Sequence, residues 1–162
     1  MNKWNEEIFR RKIKELLNFQ YGRPVGDFIS SQELFFKTSI STGRLKYVYT
    51  TNGKLLVSIR PDGYALLEKA ALELLQKANV VKKKLIVKKE ATDFILRGKD
   101  VLVSNVERFV GKFNLGEDVI VANESDLLAC GQLVLLPSEV KFFKRGVVVK
   151  NRFGVKVGNQ NS

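Results

Sequence analysis

The chain has 162 residues, with 28 Lys and Arg against 17 Asp and Glu, so it carries +11 at neutral pH. It holds no His, one Cys and one Trp, which excludes an intrachain disulfide, the common zinc sites and any imidazole-based catalytic triad. A hydrophobic share of 44% suffices for a packed core and speaks against a disordered basic tail. No apolar run approaches the roughly 18 residues of a membrane span, and the opening MNKWNEEIFRRK is charged where a secretory leader needs apolar residues. A cytoplasmic location and no membrane partner are expected.

Residues 5–20 read as an amphipathic helix, with Phe9, Ile13, Leu16 and Leu17 on one stripe. Asn2 or Asn5 is placed to cap it, and Tyr21-Gly22-Arg23-Pro24 ends it. From residue 34 to residue 60 the segments LFFKTSIS, RLKYVYT and KLLVSIR are rich in β-branched and aromatic residues and predict three strands. Thr42-Gly43 closes the first pair, and Asn52-Gly53 is a strong hairpin signal because both residues tolerate positive φ. Pro61-Asp62-Gly63 is expected to end the sheet, with a second helix over residues 64–77 presenting Leu67, Ala71, Leu74, Leu75 and Ala78. The lysine-rich bridge 79–84 is the best boundary, giving an α+β domain over 1–80 with an antiparallel sheet.

Beyond the bridge the pattern is mostly β. Strands are expected at 85–87, 101–103, 118–123, 128–136 and 146–149, and a helical segment at 90–96 ending at Gly98. Short strands at this spacing predict a small mixed β-barrel over 84–155, followed by a loose tail at 156–162. The charge is segregated here. Residues 114–140 hold no Lys or Arg but include Glu117, Asp118, Glu124, Asp126 and Glu139. Residues 141–156 reverse the sign with Lys141, Lys144, Arg145, Lys150, Arg152 and Lys156 and no acid. Such segregation favours one basic face, the arrangement a phosphate backbone needs for counterion release.

Gly98 has two readings of equal weight: a helix C-cap, or a bare backbone against which a nucleic acid can lie. Arg97 and Lys99 flank it and are candidate phosphate contacts, and Asp100 is expected to orient the loop or to pair with one of them. Lys144, Arg145, Lys150 and Arg152 form the other candidate set, with Lys144 and Arg145 preferred because strand alternation lets only some of these charges share a face. Phe94, Phe109 and Phe113 are expected in the core, whereas one of the adjacent Phe142 and Phe143 must point outward and is a candidate for base stacking. Cys130, in the apolar run LLACGQLV, reads as a buried, inert thiol. No P-loop, dinucleotide glycine pattern or metal-ligand cluster occurs, so no catalytic residue, metal or cofactor is assigned.

Three blocks carry a resemblance: EATDFILRGKDVLVSNV (90–106), LGEDVIVANESDLLACGQLVL (115–135) and FFKRGVVVKNRFG (142–154). In this order they resemble the PUA domain, a small RNA-binding barrel. The family grips RNA with its helix–glycine–strand corner and its last strand. That implies RNA-binding roles for Arg97, Gly98, Lys99, Lys144, Arg145, Lys150 and Arg152. The segment STGRLKYVYTTNGKLLVSIRPDGYALLEKAALELL (41–75) is similar to the pre-PUA domain of archaeosine tRNA-guanine transglycosylases, whose hairpin has the form "tGrir.vy..gell.tlrp.dG". In those enzymes the catalytic barrel lies upstream, and this chain starts at the first helix. The resemblance therefore implies binding of structured RNA (tRNA or rRNA) beside a catalytic partner chain, and not the base-exchange activity or a small-molecule substrate. A ribosome-biogenesis or translation-initiation adaptor is the alternative, and an enzyme acting on nucleotides a more distant one.

Overall fold

Asn2 opens the first helix by accepting a hydrogen bond from the Asn5 amide at 2.9 Å; in the computed structural model, which describes residues 1–155, this helix runs Lys3–Tyr21 (α1). Ile13 and Leu17 on its inner face are fully buried. A short helix the sequence pattern did not show follows at Val25–Ser30 (α2). Its start is served from a distance: the Asn18 side-chain oxygen accepts from the Gly26 amide at 2.7 Å. Arg10 then donates to the carbonyls of Ser30, the last residue of α2, and of Gln32 just beyond it.

Four antiparallel strands come next, Leu34–Thr38 (β1), Leu45–Thr50 (β2), Leu55–Ile59 (β3) and Ala65–Leu67 (β4), paired in sequence order. The registers Phe36↔Val48, Val48↔Val57 and Val57↔Leu67 set one inward row across the whole sheet, and all four side chains are buried. The expected break at Pro61-Asp62-Gly63 is instead a hairpin turn, and the helix expected at 64–77 begins only at Lys69–Ala78 (α3). Residues 65–67 extend because α1 completes the outer edge of β4. The Gln20 amide donates to the Ala65 carbonyl at 2.6 Å and accepts from its N–H at 3.0 Å, and the Leu67 N–H donates to the Tyr21 hydroxyl at 3.2 Å. Buried edge groups are thereby satisfied without a fifth strand.

The chain divides into two compact units, Met1–Val81 and Lys82 onward. The second contains Lys84–Val87 (β5), a 3₁₀ turn at Lys89–Ala91, Thr92–Leu96 (α4), Val101–Leu102 (β6), Val106–Val110 (β7), Asp118–Ala122 (β8), Leu127–Leu133 (β9), Pro137–Val140 (α5) and Val147–Gly154 (β10). β7 and α5 are additions to the expected elements, and β10 is longer than the 146–149 expected. The six strands form one mixed sheet in the order β6-β10-β9-β8-β5-β7, in which only β5 and β8 are parallel. Its inner row runs Phe109↔Leu85, Leu85↔Val121, Val121↔Ala129 and Ala129↔Gly154. Ala91 and Ile95, four residues apart on the α4 side, add to the same core. The fold is α+β, an antiparallel-sheet unit followed by a curled barrel-like unit. Residues 156–162, including Lys156 and the expected tail, lie outside the described residues. Among the described residues no helix is long and apolar enough to cross a membrane.

Candidate nucleic-acid interface

The corner after α4 is built by backbone. Gly98 has φ +87°, and its N–H donates to the Ile95 carbonyl at 2.9 Å while the Lys99 N–H donates to Phe94 at 3.1 Å. A Cβ on Gly98 would sit 3.4 Å from the Gly154 nitrogen, and a Cβ on Gly154 only 2.1 Å from the Leu96 carbonyl oxygen. Helix end and β10 therefore touch main chain to main chain, which supports the capping and close-packing reading of Gly98. Asn151 on β10 secures the next turn: its Nδ2 donates to the Lys99 carbonyl at 2.6 Å and its N–H to Asp100 Oδ1 at 3.1 Å. Asp100 thus orients the loop. Arg97 and Lys99 are held on a fixed corner with their side chains in solvent.

At the other end of the β6–β10 pair, the Val103 N–H donates to the Gly146 carbonyl at 2.9 Å. This fixes the segment that carries Lys144 and Arg145, both exposed. The two cation pairs flank one strand pair, their anchors Gly146 and Asn151 being five residues apart, or about 16 Å at the usual strand rise. Lys150 lies between them and is also exposed. The expected alternation on β10 fails at one point, since Val148 and Val149 are both buried. A register shift in the β6 pairing between Val147 and Val149 absorbs the extra residue.

Arg152 is differently placed. Its Nε donates to Asp118 Oδ1 at 2.8 Å and its terminal nitrogen to Oδ2 at 2.7 Å, a fork on a carboxylate only 4% exposed. The registers Asp118↔Gln132 and Gln132↔Lys150 put Asp118 and Lys150 in one row of the sheet, so Arg152 reaches across β9 to cover Asp118. Other acids of the 114–140 stretch are engaged in the same way. Glu117 holds Lys83 at 2.6 Å, and Glu124 pairs with Arg108 at 2.7 Å and raises its pKa. Among the described residues, Arg97, Lys99, Lys144, Arg145 and Lys150 make no ion pair.

Aromatic placement corrects one expectation. Phe94 is 60% exposed rather than in the core. The signal was present in the sequence: Ala91 and Ile95 define the buried stripe of the helical turn, and Phe94 falls about 80° from its centre. Phe142 is 85% exposed and Phe143 is also exposed, while Phe109 and Phe113 pack edge to face at 5.3 Å against the core. Cys130 is fully buried. Three exposed rings, and five cations that make no ion pair among the described residues, thus lie near the corner and the β6–β10 edge. Among the described residues no group of three or more His, Cys, Asp or Glu comes together that could hold a metal ion.

Residues 83–155 match the family model of the PUA domain, and residues 11–79 match that of the patch-forming domain C2 of tRNA-guanine transglycosylase. The chain is 34% identical over 149 residues to a tRNA-guanine(15) transglycosylase of Methanocaldococcus jannaschii, covering 90% of this chain and 23% of that protein. It is 33% identical over 147 residues to the protein of that name from Pyrococcus furiosus, covering 89% and 24%. The chain therefore spans about a quarter of the length of these relatives. The fold is similar to that of a hypothetical protein from Pyrococcus horikoshii OT3, with TM-score 0.68 at 19% identity over 91% of this chain and 90% of the other. It is also similar to a conserved PUA domain protein from Thermoplasma acidophilum, with TM-score 0.65 at 17% identity over 92% and 89%. The chain is thus a C2 domain of the tRNA-guanine transglycosylase type followed by a PUA domain, similar to the C-terminal region of the archaeal tRNA-guanine(15) transglycosylases.

Proposed function

We propose that this chain is a non-catalytic, cytoplasmic tRNA-binding module that presents tRNA to a transglycosylase catalytic chain. The observation that carries the reading is the set Arg97, Lys99, Lys144, Arg145 and Lys150, exposed at the two ends of the β6–β10 pair and making no ion pair among the described residues, while Glu117, Asp118 and Glu124 hold other cations. Phosphate oxygens suit those side chains, and Phe94 and Phe142 offer faces on which an unpaired end of the RNA can stack. Similarity to tRNA-guanine(15) transglycosylases over about a quarter of their length supports the RNA class.

A gel shift with a tRNA transcript, titrated with salt, tests the reading. Affinity should fall steeply as salt rises, in proportion to the phosphates neutralised. Binding that is undetectable, or indifferent to salt, would sink it.

A further inference from the structure

The first unit carries cations that the corner around Gly98 does not use. The β1–β2 and β3–β4 turns lie at the same end of the antiparallel sheet, which brings residues 42–44 together with residues 60–63. Both segments belong to the hairpin pattern that carried the resemblance in this half. They border a cleft of about 440 Å³ to which α1 adds Lys12. Its cations are Lys12, Arg44, Lys46 and Arg60, and its lone carboxylate is Asp62. Asp62 is already occupied: it accepts from the Tyr64 amide at 3.1 Å and pairs with Arg60, and these contacts hold its carboxyl below the usual carboxylate range. Lys12 and Arg44 make no ion pair among the described residues. Arg44 is also positioned by its turn, with its N–H donating to Thr42 Oγ1 at 3.2 Å and its carbonyl accepting from Ser39 at 2.8 Å. A second cleft on this unit, of about 390 Å³, has balanced charge, Glu33 and Glu73 against Lys54 and Lys77. The excess is therefore local to one end of the sheet.

We infer that this cleft is a second RNA contact, in which Lys12 and Arg44 bind phosphodiester groups of the RNA backbone. The inference rests on the RNA-binding reading above and extends it to the C2 domain. Cations and turn hydroxyls converge on the cleft, and no carboxylate is free there to accept from a base edge. The contact therefore reads the backbone without regard to sequence. With Arg60 committed to Asp62, Arg44 and Lys12 supply the binding charge.

The test uses the full chain and an unmodified tRNA transcript. Lys12→Glu with Arg44→Glu should weaken binding on the order of tenfold and flatten the salt dependence by about one to two units of slope, each lost phosphate contact being worth about 0.7–0.9. Both side chains are exposed, so the melting temperature should hold; the Ala pair at the same positions should lose affinity in the same direction but less. Lys144→Glu with Arg145→Glu serves as the reference. If that pair weakens binding and the Lys12/Arg44 pairs leave affinity and slope unchanged, the cleft is not an RNA contact and the function stands. A wild-type chain that binds no tRNA overturns both. Isothermal titration with AMP separates a backbone contact from a nucleotide pocket. Saturable AMP binding abolished by Arg44→Glu, with tRNA affinity intact, would replace the inference with a nucleotide site.

Discussion

Arg152 on β10 crosses β9 and closes a two-bond fork on Asp118 of β8, with contacts of 2.8 and 2.7 Å, covering a carboxylate that is otherwise shut away from water. The pair spans three neighbouring strands and ties the closing strand to the middle of the sheet. Breaking it from one side takes the guanidinium fork away from a buried carboxylate. Arg152→Ala is expected to cost about 3–5 kcal/mol, whereas replacing both residues with apolar ones should cost much less. Chemical denaturation, followed by hydrogen exchange at amides of the second unit, measures both. Equal losses in the single and double variants would show that packing, not charge, holds the strands.

Gly154 should tolerate no side chain. An added Cβ would meet the Leu96 carbonyl at 2.1 Å and the Gly98 nitrogen at 2.5 Å, both main chain and neither able to turn aside. Gly154→Ala is expected to lose at least about 2–3 kcal/mol of stability. Gly98→Ala meets an ordinary contact distance but a positive φ, so a loss of about 1 kcal/mol is expected. Thermal melts of the two variants give the order. A Gly98→Ala chain that keeps its stability but loses RNA binding would favour the bare-backbone reading of this glycine.

Lys144→Glu with Arg145→Glu should weaken RNA binding alike for unrelated sequences, because phosphate contacts carry no base information. Competition between two tRNA transcripts of different sequence reads this directly. An unchanged dissociation constant at low salt would place the interface elsewhere.

Phe94→Ala and Phe142→Ala separate stacking from packing. Both rings are mostly in solvent, so each change should leave stability within about 0.5 kcal/mol. A ring that stacks on a base is worth about 1–3 kcal/mol of affinity. Paired melting and binding measurements distinguish the outcomes, and a large fall in melting temperature for Phe94→Ala would return that ring to the core.

Local signals account for the elements that stand alone. The Asn2 cap and the Ile13/Leu17 stripe define α1, and Asn52-Gly53 defines the turn between β2 and β3. Elements that depend on distant partners were not legible. α2 takes its cap from Asn18 on the preceding helix, and β4 is extended because Gln20 and Tyr21 satisfy its edge. Its residues, ALL, continue the helical spacing of α3, so periodicity alone extends that helix through them. The two valines buried in succession on β10 depend on an irregularity against β6 that no alternation rule contains.

The sequence by itself determined a basic, His-free chain of two units, with the motif blocks and the segregated charge that point to RNA. Those properties are sums and spacings along the backbone, and they survive without coordinates. Only the tertiary structure decided which cations are available. Arg152, Lys83 and Arg108 are held by acids brought close by strand pairing, at 2.6–2.8 Å, while Arg97, Lys99, Lys144, Arg145 and Lys150 are left to solvent. An ion pair acts over a few ångströms, and the partners here lie 16 to 34 residues apart in the chain. Folding, not composition, therefore separates the solvent-exposed charges from those held in ion pairs.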